Sequence, residues 1–200
     1  MVKFICALIV LITMLTGQVN AEELDAARIL QEIKQNGPRS VINRFYGESL
    51  KKSEPLEDSI STGKKEWLEI AKLLRSESDA VESELLNYAV SMALSKNPIG
   101  VLTLLKTQPD DFTVDWICRD PYYEDTVDLA TEERFLKDAE KTLVYMYDPS
   151  QDKELDALRW QCLERIRIDL RKVDMDKNKS AVPELSITSP PARMPPLPSP

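Results

Sequence analysis

The sequence predicts an all-α protein, arranged as stacked helical hairpins in a loosely solenoid-like bundle with one disulfide. From residue 22 onward the apolar residues recur with helical spacing, and no segment alternates convincingly with the period of two that a half-buried strand requires. Breaks rich in Asn, Gly and Pro separate short apolar stretches, as turns between helices do. We expect a signal peptide over residues 1–21, a helical domain over residues 22–176 and a disordered proline-rich tail over residues 177–200.

The first segment has the organisation of a secretory signal peptide. Lys3 supplies the positive start, residues 4–15 form an apolar run, and Val19 and Ala21 occupy positions −3 and −1 of a cleavage site. The alternative, an uncleaved membrane anchor, needs roughly 17 to 25 apolar residues. We therefore predict a periplasmic or secreted protein that begins near Glu22 and keeps no transmembrane anchor after cleavage.

The composition excludes several functional classes. The chain of 200 residues has room for one domain or at most two small ones, and it contains no histidine, so a histidine-based triad, general base or metal site is impossible. Its five glycines are scattered, whereas a phosphate-binding loop needs them clustered. With 26 basic and 34 acidic residues, it lacks a basic footprint for nucleic acid. We therefore expect a protein that is not an enzyme, has no cofactor or metal, and binds no nucleic acid.

The helices of the first half follow from apolar stripes at helical spacing. Residues 36–38 and 97–98 are the expected breaks, and Asp79 with Glu82 forms an acidic capping box at one helix start. The polar residues 47–61 are predicted to be a long connection. The predicted stripes, in chain order, are Leu24, Ala27, Leu30 and Ile33; Val41, Ile42 and Phe45; Trp67, Ile70, Ala71 and Leu74; Val81, Leu85, Tyr88, Ala89 and Met92; and Val101, Leu102 and Leu105.

The second half begins with an irregular turn over residues 110–128 and continues with two helices. We expect the last helix to end at Arg171 and Lys172, whose charges suit the negative end of its dipole. The two predicted stripes are Phe135, Ala139, Leu143 and Met146, and Leu155, Leu158, Cys162, Ile166 and Leu170. Residues 27–45 and 88–105 share a helix, an Asn-Pro or Asn-Gly-Pro break and a short apolar helix, which is a weak internal repeat.

Two cysteines remain after the predicted cleavage, Cys118 and Cys162. In an oxidising compartment such a pair is a disulfide candidate, and Cys162 lies on the inward stripe of the last helix. The alternative is two separate buried thiols. We predict a structural disulfide, because the chain has no CxxC redox motif.

A set of short motifs supports the same organisation. They are Trp67-Leu68, Ser78-Asp79-Ala80, the Ala-Leu-x-x-Asn-Pro-x-x-Val-Leu segment over residues 93–102, Cys118, and Cys162-Leu163. This pattern resembles a family of exported, largely uncharacterised helical proteins of proteobacteria, over residues 24–170. The resemblance implies export, helices and a disulfide, and it implies no activity. Gly100 stands where that pattern more usually has alanine, and the proline-rich tail is not part of it.

One group of residues beside the predicted disulfide is a candidate partner surface. Trp116, Tyr122 and Tyr123 cluster there with Arg119 and Glu124, and Trp, Tyr and Arg are favoured at protein interfaces. The alternative places Trp116 in the core and the two tyrosines at its rim.

Carboxylates are the only remaining candidates for catalysis. The pairs Asp110-Asp111 and Glu124-Asp125 could serve a glycosidase only if two carboxylates faced each other across a cleft. Residues 174–178 begin like a calcium loop but lack its glycine and its final glutamate, so a helix end is the preferred interpretation.

These observations favour a non-catalytic periplasmic protein-binding module. An immunity-type inhibitor of an antibacterial effector and a secretion or envelope accessory protein are two concrete versions. Without Lys3 the balance is 25 basic to 34 acidic residues, a net charge of −9, which suits a basic protein partner. The alternatives are a carboxylate-dependent cell-wall hydrolase and a structural envelope component.

Overall fold

The structure, a computed structural model, describes residues 24–47, 52–119, 121, 127–145 and 152–181, with side chains through residue 179. Across these residues the chain forms helices and no strand, which confirms the all-α prediction. The predicted signal peptide and residues 182–200 of the predicted tail lie outside the described residues. The helices are α1 (Ala26–Asn36), α2 (Pro38–Tyr46), α3 (Glu54–Ser61), α4 (Lys65–Arg75), α5 (Ala80–Ala93), α6 (Pro98–Thr107), α7 (Val114–Ile117), α8 (Leu129–Tyr145) and α9 (Lys153–Ala181).

The helices stack in an order that largely follows the chain. α1 packs on α2 and α4, α3 packs on α4 and α5, and α6 lies against α4, α5 and α9. α7 contacts α5 and α9, and α8 lies along α9. Their buried apolar residues form one continuous core. None of the helices in the described ranges has the length and apolar composition of a membrane span.

The break between α1 and α2 is where the sequence predicts it. Gly37 adopts φ +81°, a left-handed conformation that favours glycine, and Pro38 follows at the first position of α2, where no backbone N–H is needed. Ile29 and Ile33 are buried on α1 as a stripe one turn apart. The predicted inward position of Ala27 is wrong, because this residue is exposed.

Helix α3 occupies residues 54–61 of the stretch for which a long connection is predicted, so that prediction is wrong for these residues. Pro55 lies in the first turn of α3, where proline is tolerated, rather than interrupting a helix. Leu56 and Ile60, four residues apart, are completely buried. Only two apolar residues in a polar segment are enough here, because α4 and α5 cover them.

Helix α4 has its predicted stripe, and helix α5 begins at its predicted cap. The α4 residues Trp67, Ile70, Ala71 and Leu74 are all buried. At the start of α5, the side chain of Asp79 accepts a hydrogen bond from Glu82 N at 3.1 Å, and the Glu82 carboxylate accepts one from Asp79 N at 2.8 Å, which confirms the capping box.

The predicted inward face of α5 is confirmed only in part. Ala89 is buried and Leu85 and Met92 pack against the core, but Val81 is 51% exposed. The buried residues of α5 outside the predicted face include Leu86, Val90 and Ala93. The reason is that α5 contacts α3, α4, α6 and α7, so more than one side of the helix is covered. A single amphipathic stripe does not describe a helix that is buried on several sides.

Asn97 fixes the start of α6 and ties it to the α3–α4 connection. Its side-chain oxygen accepts a hydrogen bond from Gly100 N at 2.9 Å, and its amide donates one to the carbonyl of Gly63 at 2.7 Å. Gly63 has φ +70°, and a Cβ atom there would lie 2.9 Å from the Cβ of Asn97. A Cβ on Gly100 would lie 2.8 Å from Leu68 Cδ1, so a larger residue there would require the leucine side chain to shift.

The last helix is longer than predicted. α9 continues past Arg171 and Lys172 and past the predicted domain boundary at residue 176, and it ends at Ala181. Val173 is buried, and Lys177 forms an ion pair with Glu133 of α8, so the extension is packed against the rest of the fold. Residues 174–178 are therefore helical, and no calcium loop forms there.

Candidate functional site

A disulfide joins the short helix α7 to the long helix α9. Cys118 and Cys162 are bonded, both are completely buried, and their Cα atoms are 4.9 Å apart. The predicted pairing is confirmed, and the alternative of two separate thiols is wrong. The bond closes a loop between residues 44 positions apart in sequence and holds the α7 turn on α9.

Trp116 lies at the surface of this cross-linked turn. Its side chain is 48% exposed, and the guanidinium of Arg119 lies 5.3 Å from the centre of its ring. The alternative that buries Trp116 in the core is therefore wrong, since Phe112 and Ile117 fill that role.

The other three members of the predicted partner surface are not described by the structure. Tyr122, Tyr123 and Glu124 lie outside the described residues. The predicted surface is thus represented by Trp116 and Arg119, whose contact is a cation–π interaction of the kind found at protein interfaces.

A second tryptophan–arginine pair lies on α9. Trp160 is 53% exposed, and the guanidinium of Arg159 lies 4.5 Å from its ring centre. Arg159 is only 7% exposed and is itself held in place: Asp156 accepts a hydrogen bond from its Nε at 2.9 Å and pairs with its Nη2 at 2.7 Å. The indole ring is therefore an exposed platform with a fixed cation beneath it.

Trp160 and Arg159 are not among the residues predicted to form a partner surface. A signal was present, because Trp160 does not belong to the apolar stripe of Leu155, Leu158 and Cys162 and directly follows an arginine. A tryptophan outside the buried stripe of an amphipathic helix has to be accommodated at the surface.

The two pairs are related through the disulfide. Trp116 and Trp160 each precede a bridged cysteine by two residues. Each tryptophan Cα therefore lies at most about 7.6 Å from the Cα of its cysteine. Because the two cysteine Cα atoms are 4.9 Å apart, the two tryptophan Cα atoms are at most about 20 Å apart. On α9, Trp160 lies about 160° around the helix from Cys162, on the side away from the bridge. The disulfide therefore limits the separation of the two exposed rings without placing them on one face.

The exposed side of α9 contains a shallow depression of about 420 Å³ beside Trp160. It is lined by Trp160, Gln161, Glu164, Arg167 and Arg171. Arg167 Nε donates a hydrogen bond to Glu140 of α8 at 2.6 Å. Since α9 continues to Ala181, Arg171 lies in mid-helix, and the predicted role of its charge at the helix end is wrong.

A second polar feature is buried between α3 and α5. Glu57 Oε1 on α3 and the side-chain oxygens of Asn87 and Ser91 on α5 have no hydrogen-bond partner among the described residues, and neither does the hydroxyl of Tyr46 at the end of α2. Burial raises the pKa of Glu57 above its ordinary 4.5, although a hydrogen bond from Ser53 opposes this shift. Burial also raises the pKa of Tyr46, and the charges of Glu57 and Glu82 add to that effect. Buried polar atoms without hydrogen-bond partners lower the stability of the fold.

The carboxylates considered for catalysis do not form a described site. Asp110 is exposed and Asp111 half-buried in the turn after α6, and Glu124 and Asp125 lie outside the described residues. In the described ranges, no group of three or more acidic or cysteine side chains is placed to hold a metal ion.

Comparison with family models, with curated proteins and with solved structures found no match. The resemblance to a family of exported proteobacterial proteins therefore stays a prediction.

Proposed function

We propose that this protein is a non-catalytic, exported protein-binding module, and that the turn carrying Trp116 and Arg119 is part of its partner surface. The observation that supports it best is an aromatic ring, about half exposed, on a turn that a disulfide anchors to the fold. Tryptophan and arginine dominate the energetic centres of protein interfaces, because they combine large contact area with directional polar groups.

The cross-link supports a binding role for this turn. α7 has only four residues, too few for a stable isolated helix, and the Cys118–Cys162 bond holds it on the 29-residue α9. A surface that is fixed before the partner arrives loses less conformational entropy on binding. The cation–π contact of Arg119 further restricts the ring of Trp116.

The charge of the chain favours a basic protein as the partner. The net charge is −8, and it becomes −9 once Lys3 is removed with the predicted signal peptide. Opposite net charges accelerate the encounter of two proteins. An immunity-type inhibitor and a secretion or envelope accessory protein are both compatible with this scheme, and the cell-wall hydrolase and the structural envelope component remain the alternatives.

The proposal is tested by affinity capture from envelope extract at low salt, with the full-length protein immobilised. Trp116→Ala should lower the amount of captured partner at least tenfold, whereas Trp160→Ala, which removes the same side chain from the other pair, should not. Equal thermal stability of both variants would show that the fold is intact. Equal capture by wild type and Trp116→Ala, or no specific capture at all, would count against the proposal, and release of soluble fragments from peptidoglycan would favour the hydrolase.

A further inference from the structure

No helix in the described part of the chain covers the exposed side of α9. Residues of this side recur at steps of three and four, so they form one row along the helix. They are Ala157, Trp160, Glu164, Arg167, Arg171 and Asp174, and all are exposed. The opposite side of α9 carries the buried residues Cys162, Ile166 and Val173.

We infer that this side of α9 binds the same side of a second copy, with the two helices antiparallel about a two-fold axis that passes between residues 165 and 166. In this register Trp160 faces Arg171 of the second copy, and Glu164 faces Arg167 of the second copy. Each contact occurs twice because a two-fold interface is self-complementary. This inference goes beyond the proposed function and rests on different residues.

Charge determines the direction of the two helices. In a parallel pair each residue would face its own counterpart, so Glu164 would oppose a glutamate, and Arg167 and Arg171 would each oppose an arginine. Like charges at such positions are destabilising. The antiparallel register replaces these repulsions with an ion pair between Glu164 and Arg167 and a cation–π contact between Arg171 and Trp160.

The side chains are available for these contacts. One side of the Trp160 ring rests on Arg159, which leaves the other side open to a second cation. Arg171 has no ion pair or hydrogen bond among the described residues, and it cannot reach Trp160 of its own chain, since eleven residues of helix separate them by about 16 Å. Arg167 uses Nε for Glu140, which leaves its two terminal nitrogens for Glu164 of the second copy.

The test is the mass of the full-length protein in solution, measured by sedimentation from about 1 to 100 μM at 0.15 M salt. We expect dimer that increases with concentration, and we expect Arg171→Glu to weaken dimerisation at least tenfold. Lys34→Glu, which changes the charge equally on the exposed side of α1, is the matched control and should have no effect. A monomer at every concentration, or a dimer insensitive to Arg171→Glu, would overturn the inference.

A charge swap tests the register itself. In a Glu140→Gln background, which prevents repulsion between residue 140 and an acidic residue 167, Glu164→Arg alone and Arg167→Glu alone should each weaken the dimer. The two changes together should restore it, because each new arginine then faces a new glutamate across the axis. Failure of the combined variant to recover would overturn this register.

Residues 182–200 follow α9 directly in sequence, so the test has to exclude them as the alternative partner of its exposed side. A full-length monomer that dimerises only after these residues are deleted would show that they cover this side, and would overturn the inference. Trp116→Ala should leave the dimer unchanged, so failure of the proposed function and failure of this inference are separate results.

Discussion

The first six helices and the last three are stabilised in different ways. Between α1 and α6 the contacts are mainly apolar, and helices α3 to α5 enclose residues with no exposed surface such as Ile60, Ile70 and Leu86. The last three helices have fewer buried apolar residues, and they alone contain the disulfide. Two ion pairs join α8 to α9, namely Glu133 with Lys177 and Glu140 with Arg167. A third joins α6 to the residue before α9, namely Lys106 with Asp152.

This difference explains where the candidate surfaces lie. Trp116 and Trp160 are both in the last three helices, and both are about half exposed. A disulfide stabilises a fold without burying apolar area, because it acts mainly by restricting the unfolded chain. The region that has the cross-link can therefore leave large aromatic side chains at the surface, where they are available for binding.

Removal of the disulfide should have the largest effect on stability. The double variant Cys118→Ala/Cys162→Ala should lose about 4 kcal/mol of the free energy of unfolding. The bond closes a loop between residues 44 positions apart, and without it the unfolded chain gains conformational entropy. Urea unfolding measures the change, and hydrogen exchange should show the greatest loss of protection in α7 and α9. Treating the wild type with a reductant is the control and should reproduce the result. A loss below about 1 kcal/mol would mean that apolar packing also dominates in the last three helices.

The next effect tests the apolar character of the first six helices. Ile60→Ala in α3 should cost about 3 kcal/mol in urea unfolding, because the residue is completely buried and its removal leaves a cavity. Ile99→Ala is the matched control: Ile99 is 49% exposed at the start of α6, and its loss should change the stability by less than about 0.5 kcal/mol. Similar values for both variants would show that α3 is not part of the core.

The buried Glu57 should make the stability of the first region fall as the pH rises. Its pKa is higher in the folded protein than the ordinary 4.5, so the folded state holds the proton more tightly. The resulting stabilisation is complete below pH 4.5 and is lost as the pH rises through the raised pKa. The free energy of unfolding of Glu57→Gln should therefore increase relative to that of the wild type as the pH rises from 4 to 7. Urea unfolding of both proteins at both pH values measures this change. An equal difference at both pH values would contradict the shift.

Glu133 in the last region should have the opposite pH dependence and the smallest effect. Hydrogen bonds from Lys137 and Lys177 lower its pKa from 4.5 to about 2. The stabilisation is present above pH 4.5 and is lost as the pH falls from 4.5 towards 2. Glu133→Gln should reduce this loss in acid unfolding, whereas Glu66→Gln on the exposed side of α4 should not. Identical acid unfolding of wild type and Glu133→Gln would show that these ion pairs contribute nothing.

Local patterns were sufficient for several helix starts. The capping box of Asp79 and Glu82 and the cap at Asn97 both lie where the sequence predicts a helix to start, because these bonds join residues three positions apart. Helix α3 was not predictable in this way. Its two apolar residues and its proline match either a loop or a helix, and the covering α4 and α5 decide between them.

The candidate site was predictable only in part. Cys118 and Cys162 could be paired from the cysteine count, and Trp116 and Arg119 could be named from composition. The exposure of Trp116 could not be predicted, since a tryptophan beside Phe112 and Ile117 suits the core equally well. Trp160 was not identified, because its platform requires Arg159 to be buried between α8 and α9.

The helical class, the principal breaks and the cysteine pair follow from local sequence, because each depends on spacing, capping or residue identity within a short stretch. The inward sides of α5, the extension of α9 to Ala181 and the exposure of Trp116 are set by the tertiary structure. These properties depend on which helices cover a given surface. Burial is a relation between residues distant in sequence, and a periodic pattern contains no information about the partner helix.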